Sequence, residues 1–174
     1  MNVRVGIGYD VHPFAEGRRF VLGGVDVPHE RGLAGHSDAD ALAHAVADAL
    51  LGALALGDLG AHFPDDDPAW QGADSLTLLA RVRGLVAAQG WRVGNVDATV
   101  IAERPRLAPH VAGMRQGLAR ALAADVEAVS VKATRHEGLG ALGRGEGIAA
   151  MAVVLLVRAT TAGTDTDAGS GERA

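Results

Sequence analysis

The chain has 174 residues, 48% of them hydrophobic, which fits one domain with its own core. It contains no cysteine, which excludes disulfides and thiolate metal sites, so any metal ion must be bound by histidine and carboxylate side chains. The formal net charge of -5 and the 3% aromatic content argue against nucleic acid as a partner, because binding to it uses basic stripes and stacking platforms.

The sequence also argues against a membrane protein. No apolar run reaches the roughly 18 to 20 residues that span a bilayer, and the N-terminus lacks the pattern of a signal peptide. We therefore expect a cytoplasmic protein.

The first part of the chain predicts strands. In residues 3–9, VRVGIGY, larger side chains alternate with Arg4, Gly6 and Gly8, which is the pattern of a strand with one larger-residue face. Residues 20–22 and 25–27 are short apolar segments around Gly23 and Gly24, and they predict a hairpin.

Helical spacing follows the hairpin. An apolar stripe that includes Leu42, Val46 and Leu50 predicts a helix over residues 38–56, with Ser37 or Asp38 as its N-cap. Two further helices are predicted over residues 74–89, which Gly90 ends, and 109–124. Strands are predicted over residues 95–103, 128–134 and 147–158.

These elements predict an α/β (α+β) fold, in which a single mixed β-sheet is covered by helices on one face. Because Val3, Val5 and Ile7 make the other face apolar as well, something must cover it, and a symmetric oligomer is the simplest cover. Residues 159–174 have no period and almost no large apolar side chain, so we expect a disordered tail after a domain formed by residues 1–158.

The most specific polar cluster combines Asp10, His12 and His44. Side chains at i and i+2 leave the same face of an extended chain, so Asp10 and His12 point to one place. One carboxylate and two imidazoles are typical of catalytic zinc sites, which leave a fourth position open. On these residues alone, a polar turn and a structural His44 are the simpler interpretation. Asp40 or Asp48, one helical turn away, could orient the His44 ring, although solvation explains both residues equally well.

Three other segments could bind phosphate. In HSDAD, residues 36–40, His36 and Ser37 precede a predicted helix whose free N–H groups favour anions, although an ordinary capping segment explains them equally well. The segment 57–68, GDLGAHFPDDDP, is a solvated loop or a binding rim. The glycine-rich segment 132–147 is either a hairpin loop or a phosphate site where Glu137 holds a hard cation.

Taken together, these motifs resemble the 2-C-methyl-D-erythritol 2,4-cyclodiphosphate synthase family of the non-mevalonate isoprenoid pathway. The resemblance covers about residues 3–158 and rests on GYDVHPF, on the block from HSDAD to FPDDDP with GADS after it, on GNVDATVIAERPRLAPH, and on VKAT with GRGEGIA. It implies a cytoplasmic lyase that converts 4-diphosphocytidyl-2-C-methyl-D-erythritol 2-phosphate to the cyclic diphosphate with release of CMP. It also implies a homotrimer whose sheets pack around a threefold axis, with active sites at the subunit interfaces.

The resemblance further implies a role for each matching residue. Asp10, His12 and His44 would bind Zn²⁺ or another divalent transition metal, and Glu137 would hold a Mg²⁺ or Mn²⁺ that bridges the substrate phosphates. The phosphate portion of the substrate would contact His36, Ser37, Asp58, Leu59, Gly60, Phe63, Pro64, Asp65, Asp66 and Asp67. The cytidine side would be formed by residues 102–108, among them Ala102, Arg106, Leu107 and Ala108, with Ala133 and Thr134. Arg144 would lie near the threefold axis in contact with substrate or an isoprenoid phosphate.

Two positions depart from the family pattern. The family usually reads VKATTTE, whereas Arg135 and His136 stand here between Thr134 and Glu137, so Arg135 replaces the hydroxyl residue credited with steadying the transition state. Its guanidinium could bind phosphate more strongly or crowd the site. Ala141 stands where an aromatic residue is common.

Two other functions remain open at this point. A metal-dependent phosphoesterase could use the same Asp/His/His cluster to activate water, and a trimer inactivated by Arg135 could bind nucleotide without turnover. The products released would separate these alternatives from a synthase.

We predict that Arg135→Thr retains or raises turnover, because the threonine restores the hydroxyl group of the family pattern. The measurement is the rate of CMP release by the variant and the unsubstituted protein. A loss beyond about 100-fold, roughly 2.7 kcal/mol of transition-state stabilisation, would show instead that Arg135 has taken over the role.

Overall fold

The computed structural model describes residues 2–159. Its strands are β1 (Val3–Ala15), β2 (Val21–Leu22), β3 (Val25–Asp26), β4 (Gly32–Leu33), β5 (Trp91–Ile101), β6 (Val129–Thr134) and β7 (Gly147–Arg158). Its helices are α1 (Ala41–Ala53), α2 (Leu59–His62), α3 (Ser75–Ala88), α4 (Val111–Leu122) and α5 (Gly140–Gly143). The predicted tail lies outside the described residues, apart from Ala159.

One mixed sheet organises the fold. Its strand order is β4-β1-β7-β5-β6, and β2 pairs with β3 in a separate hairpin, as predicted. Strands β5 and β6 are parallel because α4 carries the chain back between them, whereas the other pairs of the sheet are antiparallel. The chain is therefore a mixed α+β protein, which confirms the predicted fold class.

Helix α1 packs directly on β1 and β7, and two glycines of β1 allow a very close approach. A Cβ atom added to Gly6 would lie 1.9 Å from the carbonyl oxygen of Ala49, and one added to Gly8 would lie 1.9 Å from that of Ala45. The helix also contacts α3. Because it is enclosed by the sheet and by α3, it is buried on nearly every side and rich in alanine rather than striped.

The structure moves several predicted boundaries. Strand β5 begins at Trp91 rather than at residue 95, and α1 ends at Ala53 rather than at residue 56. Strand β1 continues to Ala15, so Asp10 and His12 belong to the strand itself rather than to a turn after it. Helix α1 begins at Ala41, and its N-cap is Asp40 rather than Ser37 or Asp38. The left-handed φ of 58° at Ala39 interrupts the helical backbone before that point, and the Asp40 side chain accepts a 3.0 Å hydrogen bond from the Ala43 N–H.

Short helices occupy two segments that the sequence indicated as loops. Helix α2 lies within residues 57–68 and is capped by Asp58, and α5 lies within the glycine-rich segment before β7. The turn around α5 is tight, since a Cβ atom on Gly143 would lie 2.3 Å from the carbonyl carbon of Gly138. Spacing could not reveal either helix because each is a single turn.

The sheet face opposite α1 is apolar and exposed in the single chain. Val5 is 65% exposed and Ile7 is 64% exposed, and the same face carries further exposed side chains at Val3, Tyr9, Val11, Met151 and Val153. Such a continuous apolar surface marks an interaction site rather than a solvated surface. Among the described residues, no helix is both long and apolar enough to cross a bilayer.

We predict that Gly6→Ala destabilises the protein by about 1–3 kcal/mol or more, because the added methyl group collides with the backbone of α1. Gly84→Ala is the matched control: a Cβ atom there meets nothing within 4 Å, so this helix substitution should stabilise the fold by about 1 kcal/mol. Urea denaturation at one fixed protein concentration measures both effects. An unchanged midpoint for Gly6→Ala would contradict the close packing of β1 on α1.

Candidate metal centre

The predicted Asp/His/His cluster assembles where β1 crosses α1. Asp10 and His12 follow Gly8 on the side of β1 that faces α1. On α1, Gly8 packs against Ala45, and His44 is the residue next to Ala45. Asp10 Oδ2 lies 2.9 Å from His12 Nε2 and 3.0 Å from His44 Nδ1, and the two imidazole nitrogens are 3.3 Å apart. The strand and the helix thus direct three donor atoms to one point.

This spacing fits a divalent metal ion. Zinc bound to nitrogen and carboxylate oxygen at 2.0–2.2 Å in a tetrahedron has ligand atoms about 3.3 Å apart. The three separations in the structure, 2.9 to 3.3 Å, lie at or just below that value. Asp10, His12 and His44 could therefore hold a metal ion with small movements of their side chains.

The hydrogen bond of His12 presents the correct nitrogen to the centre. His12 Nδ1 lies 2.6 Å from the carbonyl oxygen of Ala34, which only accepts, so Nδ1 carries the proton and donates it. In the neutral ring, Nε2 is then a free lone pair. Gly35 makes room for this arrangement, because a Cβ atom there would lie 3.1 Å from His12 Cε1.

The second nitrogen of His44 faces two serines. His44 Nε2 lies 2.8 Å from Ser75 Oγ and 3.2 Å from Ser37 Oγ. Neither Asp40 nor Asp48 contacts the ring through a hydrogen bond, so the suggestion that one of them orients it is wrong. Their carboxylates accept backbone hydrogen bonds instead: Asp40 from the hairpin and the start of α1, and Asp48 from Leu59 at 2.7 Å.

The electrostatics of the cluster favour an ionised aspartate. Burial alone would raise the pKa of Asp10, but hydrogen bonds and the charges of His12 and His44 outweigh it and hold the pKa well below its usual range. Burial would conversely lower the pKa of His12, but the hydrogen bond and charge of Asp10 raise it above its usual value. A metal ion bound here must therefore displace the proton that Asp10 helps His12 to retain.

The centre opens into a cavity of about 370 Å³. Besides the three donors, its lining includes seven of the predicted substrate residues: His36, Ser37, Asp58, Leu59, Gly60, Phe63 and Asp65. It also includes Gly35, Asp48, Trp70 and Leu78, which the sequence analysis did not assign to a substrate site. The sequence could have indicated Asp48 as a cavity residue, because it lies one helical turn beyond His44. Trp70 and Leu78 reach the cavity only through tertiary packing.

His36 and Ser37 reach this cavity for a different reason from the predicted one. Because α1 starts at Ala41, neither residue lies at a helix N-terminus, and the argument from free helical N–H groups is wrong. Their segment is instead paired with the chain before α3: Gly72 N donates to the carbonyl of His36 at 2.9 Å, and Asp38 N donates to that of Ala73 at 3.1 Å. The GADS segment therefore holds the HSD segment beside the metal centre.

A second cavity, of about 560 Å³, lies at the ends of β5 and β6. It is lined by residues 102–108, with Ala133, Thr134 and Arg135. The structure thus gathers the predicted cytidine-side residues into one place, but this cavity shares no lining residue with the metal cavity.

The other predicted residues line neither cavity in the single chain. They are Pro64, Asp66, Asp67, Glu137, Ala141 and Arg144. Asp67 caps the single turn Pro68–Trp70. Glu137 accepts from the Arg135 guanidinium at 3.1 and 3.4 Å, and Arg144 pairs with Glu146 at 2.6 Å, all four side chains being exposed.

The fold and the site together define a mixed α+β protein with a three-donor centre suited to a divalent metal ion. The YgbB family model matches residues 3–157. A relative from Trichlorobacter lovleyi named 2-C-methyl-D-erythritol 2,4-cyclodiphosphate synthase is 61% identical over 155 residues, which are 89% of this chain and 99% of the relative. This chain therefore belongs to the YgbB family of 2-C-methyl-D-erythritol 2,4-cyclodiphosphate synthases.

Solved structures agree with this assignment. The bifunctional IspDF from Campylobacter jejuni matches with a TM-score of 0.86 and 40% identity over 90% of this chain, which spans 42% of that longer protein. The IspF of Plasmodium falciparum, solved as a CDP complex, matches with a TM-score of 0.80 and 31% identity. The match covers 91% of this chain and 98% of the Plasmodium chain.

Proposed function

We propose that this protein converts 4-diphosphocytidyl-2-C-methyl-D-erythritol 2-phosphate to 2-C-methyl-D-erythritol 2,4-cyclodiphosphate and releases CMP. The observation that carries the proposal is the convergence of Asp10, His12 and His44 donor atoms within 3.3 Å beside a polar cavity, in a chain of this family. The enzyme is a phosphorus–oxygen lyase of isoprenoid biosynthesis by the non-mevalonate route.

The reaction is an intramolecular phosphoryl transfer. An oxygen of the 2-phosphate forms a bond to the β-phosphorus, and the bond from that phosphorus to the bridging oxygen breaks, so CMP leaves with the electron pair. Attacker and target belong to one molecule, so the protein mainly has to fold the substrate and align the two groups. No protein nucleophile is needed, which agrees with the absence of cysteine.

Both reacting groups are anions, and the side chains of the cavity alone cannot neutralise them, because Asp48, Asp58 and Asp65 also line it. A divalent ion at the centre, when bound, supplies positive charge for phosphate oxygens. We assign Zn²⁺ to Asp10, His12 and His44, because two imidazoles and one carboxylate suit it. We assign Mg²⁺ or Mn²⁺ to Glu137, whose carboxylate, once released from its ion pair with Arg135, would bind a hard cation together with phosphate oxygens.

The remaining side chains would bind and orient the substrate. His36 and Ser37 present an imidazole and a hydroxyl group to the metal cavity, where they would donate to phosphate oxygens. In the second cavity, Leu107 and Ala102 offer buried apolar contacts, and Arg106 offers charge for the cytidine end. Arg135 lies at the rim of that cavity, where its guanidinium would contact the diphosphate.

A homotrimer would join the two cavities. One chain carries the metal centre and the cytidine-side residues in separate cavities, yet one substrate molecule has to contact both sets. Packing the apolar faces of three sheets around a threefold axis would bury Val5 and Ile7 and bring the metal cavity of one subunit to the second cavity of its neighbour. The cytoplasmic location stays a prediction from the sequence.

With the substrate, Zn²⁺ and Mg²⁺ supplied, we expect equal amounts of CMP and cyclic diphosphate and no inorganic phosphate. His44→Ala should lower the rate more than about 100-fold, because it removes a metal ligand. His110→Ala is the matched control, since His110 lines neither cavity. Chromatography of the products measures the rate for the unsubstituted protein and for both variants. Inorganic phosphate as the product would indicate a phosphoesterase, and tight CMP binding without turnover would indicate a non-catalytic nucleotide-binding protein.

For the trimer, we expect Ile7→Glu to produce monomers, because it would bring three carboxylates together at the centre of a buried apolar interface. Leu85→Glu introduces the same charge at an exposed apolar residue of α3 and should leave the trimer intact. Light scattering after size exclusion measures the mass. A trimer that tolerates Ile7→Glu would exclude this sheet face as the interface.

A further inference from the structure

Ser75 is a buried polar residue at the first position of α3, and no part of the reaction described above requires it. It is only 1% exposed, so each of its polar atoms needs a partner inside the protein. Its Oγ lies 2.8 Å from His44 Nε2 and makes a short hydrogen bond to Asp38 Oδ1, while its N–H donates to Asp38 Oδ2 at 3.2 Å. Ser75 thus connects a carboxylate to the far side of a metal ligand.

The chemistry of these three groups determines where the protons lie. An ionised Asp38 only accepts, so the hydroxyl proton of Ser75 must point to Asp38. The Oγ atom then offers only lone pairs to His44, so His44 Nε2 must carry a proton and donate it. In the metal-free protein the inner nitrogen, Nδ1, lies 3.0 Å from the Asp10 carboxylate and can donate a proton to it. A histidine that binds a metal is a neutral imidazole with a single N–H, so when a metal ion is bound the proton stays on Nε2, and Nδ1 becomes the lone pair directed toward Asp10 and His12.

We propose that Ser75 and Asp38 are positioning residues that hold His44 in the form protonated on Nε2, which leaves Nδ1 free to bind the metal ion. Without them, Asp10 would favour the opposite form, because its Oδ2 lies 3.0 Å from His44 Nδ1 and would accept a proton from it. The Ser37 hydroxyl lies farther from Nε2, at 3.2 Å. Its Oγ accepts from the Ala39 N–H, and its own proton has an acceptor in Ser75 Oγ at 3.5 Å, so it need not donate to His44. Outer groups of this kind typically change metal affinity by about 10- to 100-fold.

This inference rests on the metal site of the proposed function, and the two can be tested separately. Zinc affinity of the 174-residue protein is measured by competition with a chelator. We expect Ser75→Ala to weaken zinc binding about 10- to 100-fold. Failure of the unsubstituted protein to bind zinc would overturn the metal site itself, whereas tight binding by both proteins would overturn only the role of Ser75.

A matched control separates positioning from helix stability. The N-cap of α3 is Asp74, whose carboxylate accepts from Leu76 N and Thr77 Oγ1, so Ser75→Ala keeps the cap. Asp74→Ala removes the cap without touching His44. It should lower the urea midpoint yet leave zinc affinity within about threefold, because capping contributes about 1 kcal/mol to folding only.

Nuclear magnetic resonance of the zinc-loaded protein supplies a readout that a purely structural role would not change. The His44 Nε2–H proton, assigned by its loss in His44→Ala, should exchange slowly with solvent because Ser75 accepts its hydrogen bond. In Ser75→Ala it should exchange faster and shift upfield. An unchanged signal in this variant, or a signal change without loss of zinc affinity, would overturn the proposal.

Discussion

The site depends on the close contact between β1 and α1. Two glycines of the strand, Gly6 and Gly8, lie against the backbone of the helix with no room for a side chain. This contact sets both the distance and the register of the two elements. Asp10 and His12, the next two residues after Gly8 on the same side of β1, lie beside His44. The donor atoms of the three side chains converge within 3.3 Å. A strand and a buried helix thus preorganise the centre, because side chains on such elements are held more precisely than side chains on loops.

Around this centre, buried hydrogen bonds decide which atoms can act. His12 donates to the carbonyl of Ala34, and His44 faces Ser75, so each ring has its outer nitrogen occupied by the protein. The two rings use different nitrogens toward Asp10, Nε2 from His12 and Nδ1 from His44. The start of α3 and the segment before α1 therefore support the centre, in addition to the two elements that carry the ligands.

The apolar outer face of the sheet and the division of the site into two cavities would have one explanation in the proposed homotrimer. A face with Val5 and Ile7 about two-thirds exposed is costly in water, at about 25 cal/mol for each Å² of apolar surface. A subunit that covers this face would also supply the second set of substrate contacts. Stability and catalysis would then depend on the same association, and a separated subunit would hold a metal ion without a complete substrate site.

The sequence was sufficient for the order of the longer elements, for the apolar outer face of β1 and for the shared side of Asp10 and His12, whereas the family resemblance was needed to add His44 to the donor trio. These depend on local periodicity and on residue type, since i and i+2 share a face of any strand. It was misleading at the start of α1, where the left-handed backbone at Ala39 moved the cap to Asp40. Such a conformation of a non-glycine residue is imposed by its surroundings and leaves no local pattern.

Only the tertiary structure decided the partners of the ligands and the division of the site. Ser75 lies 31 residues from His44 along the chain, and its hydrogen bond to the ring exists because α3 begins beside α1. The same holds for Trp70 and Leu78 in the metal cavity and for the separation of that cavity from the one at the ends of β5 and β6. Periodicity describes which face of an element is buried, whereas contacts between distant segments depend on how those faces pack together in three dimensions.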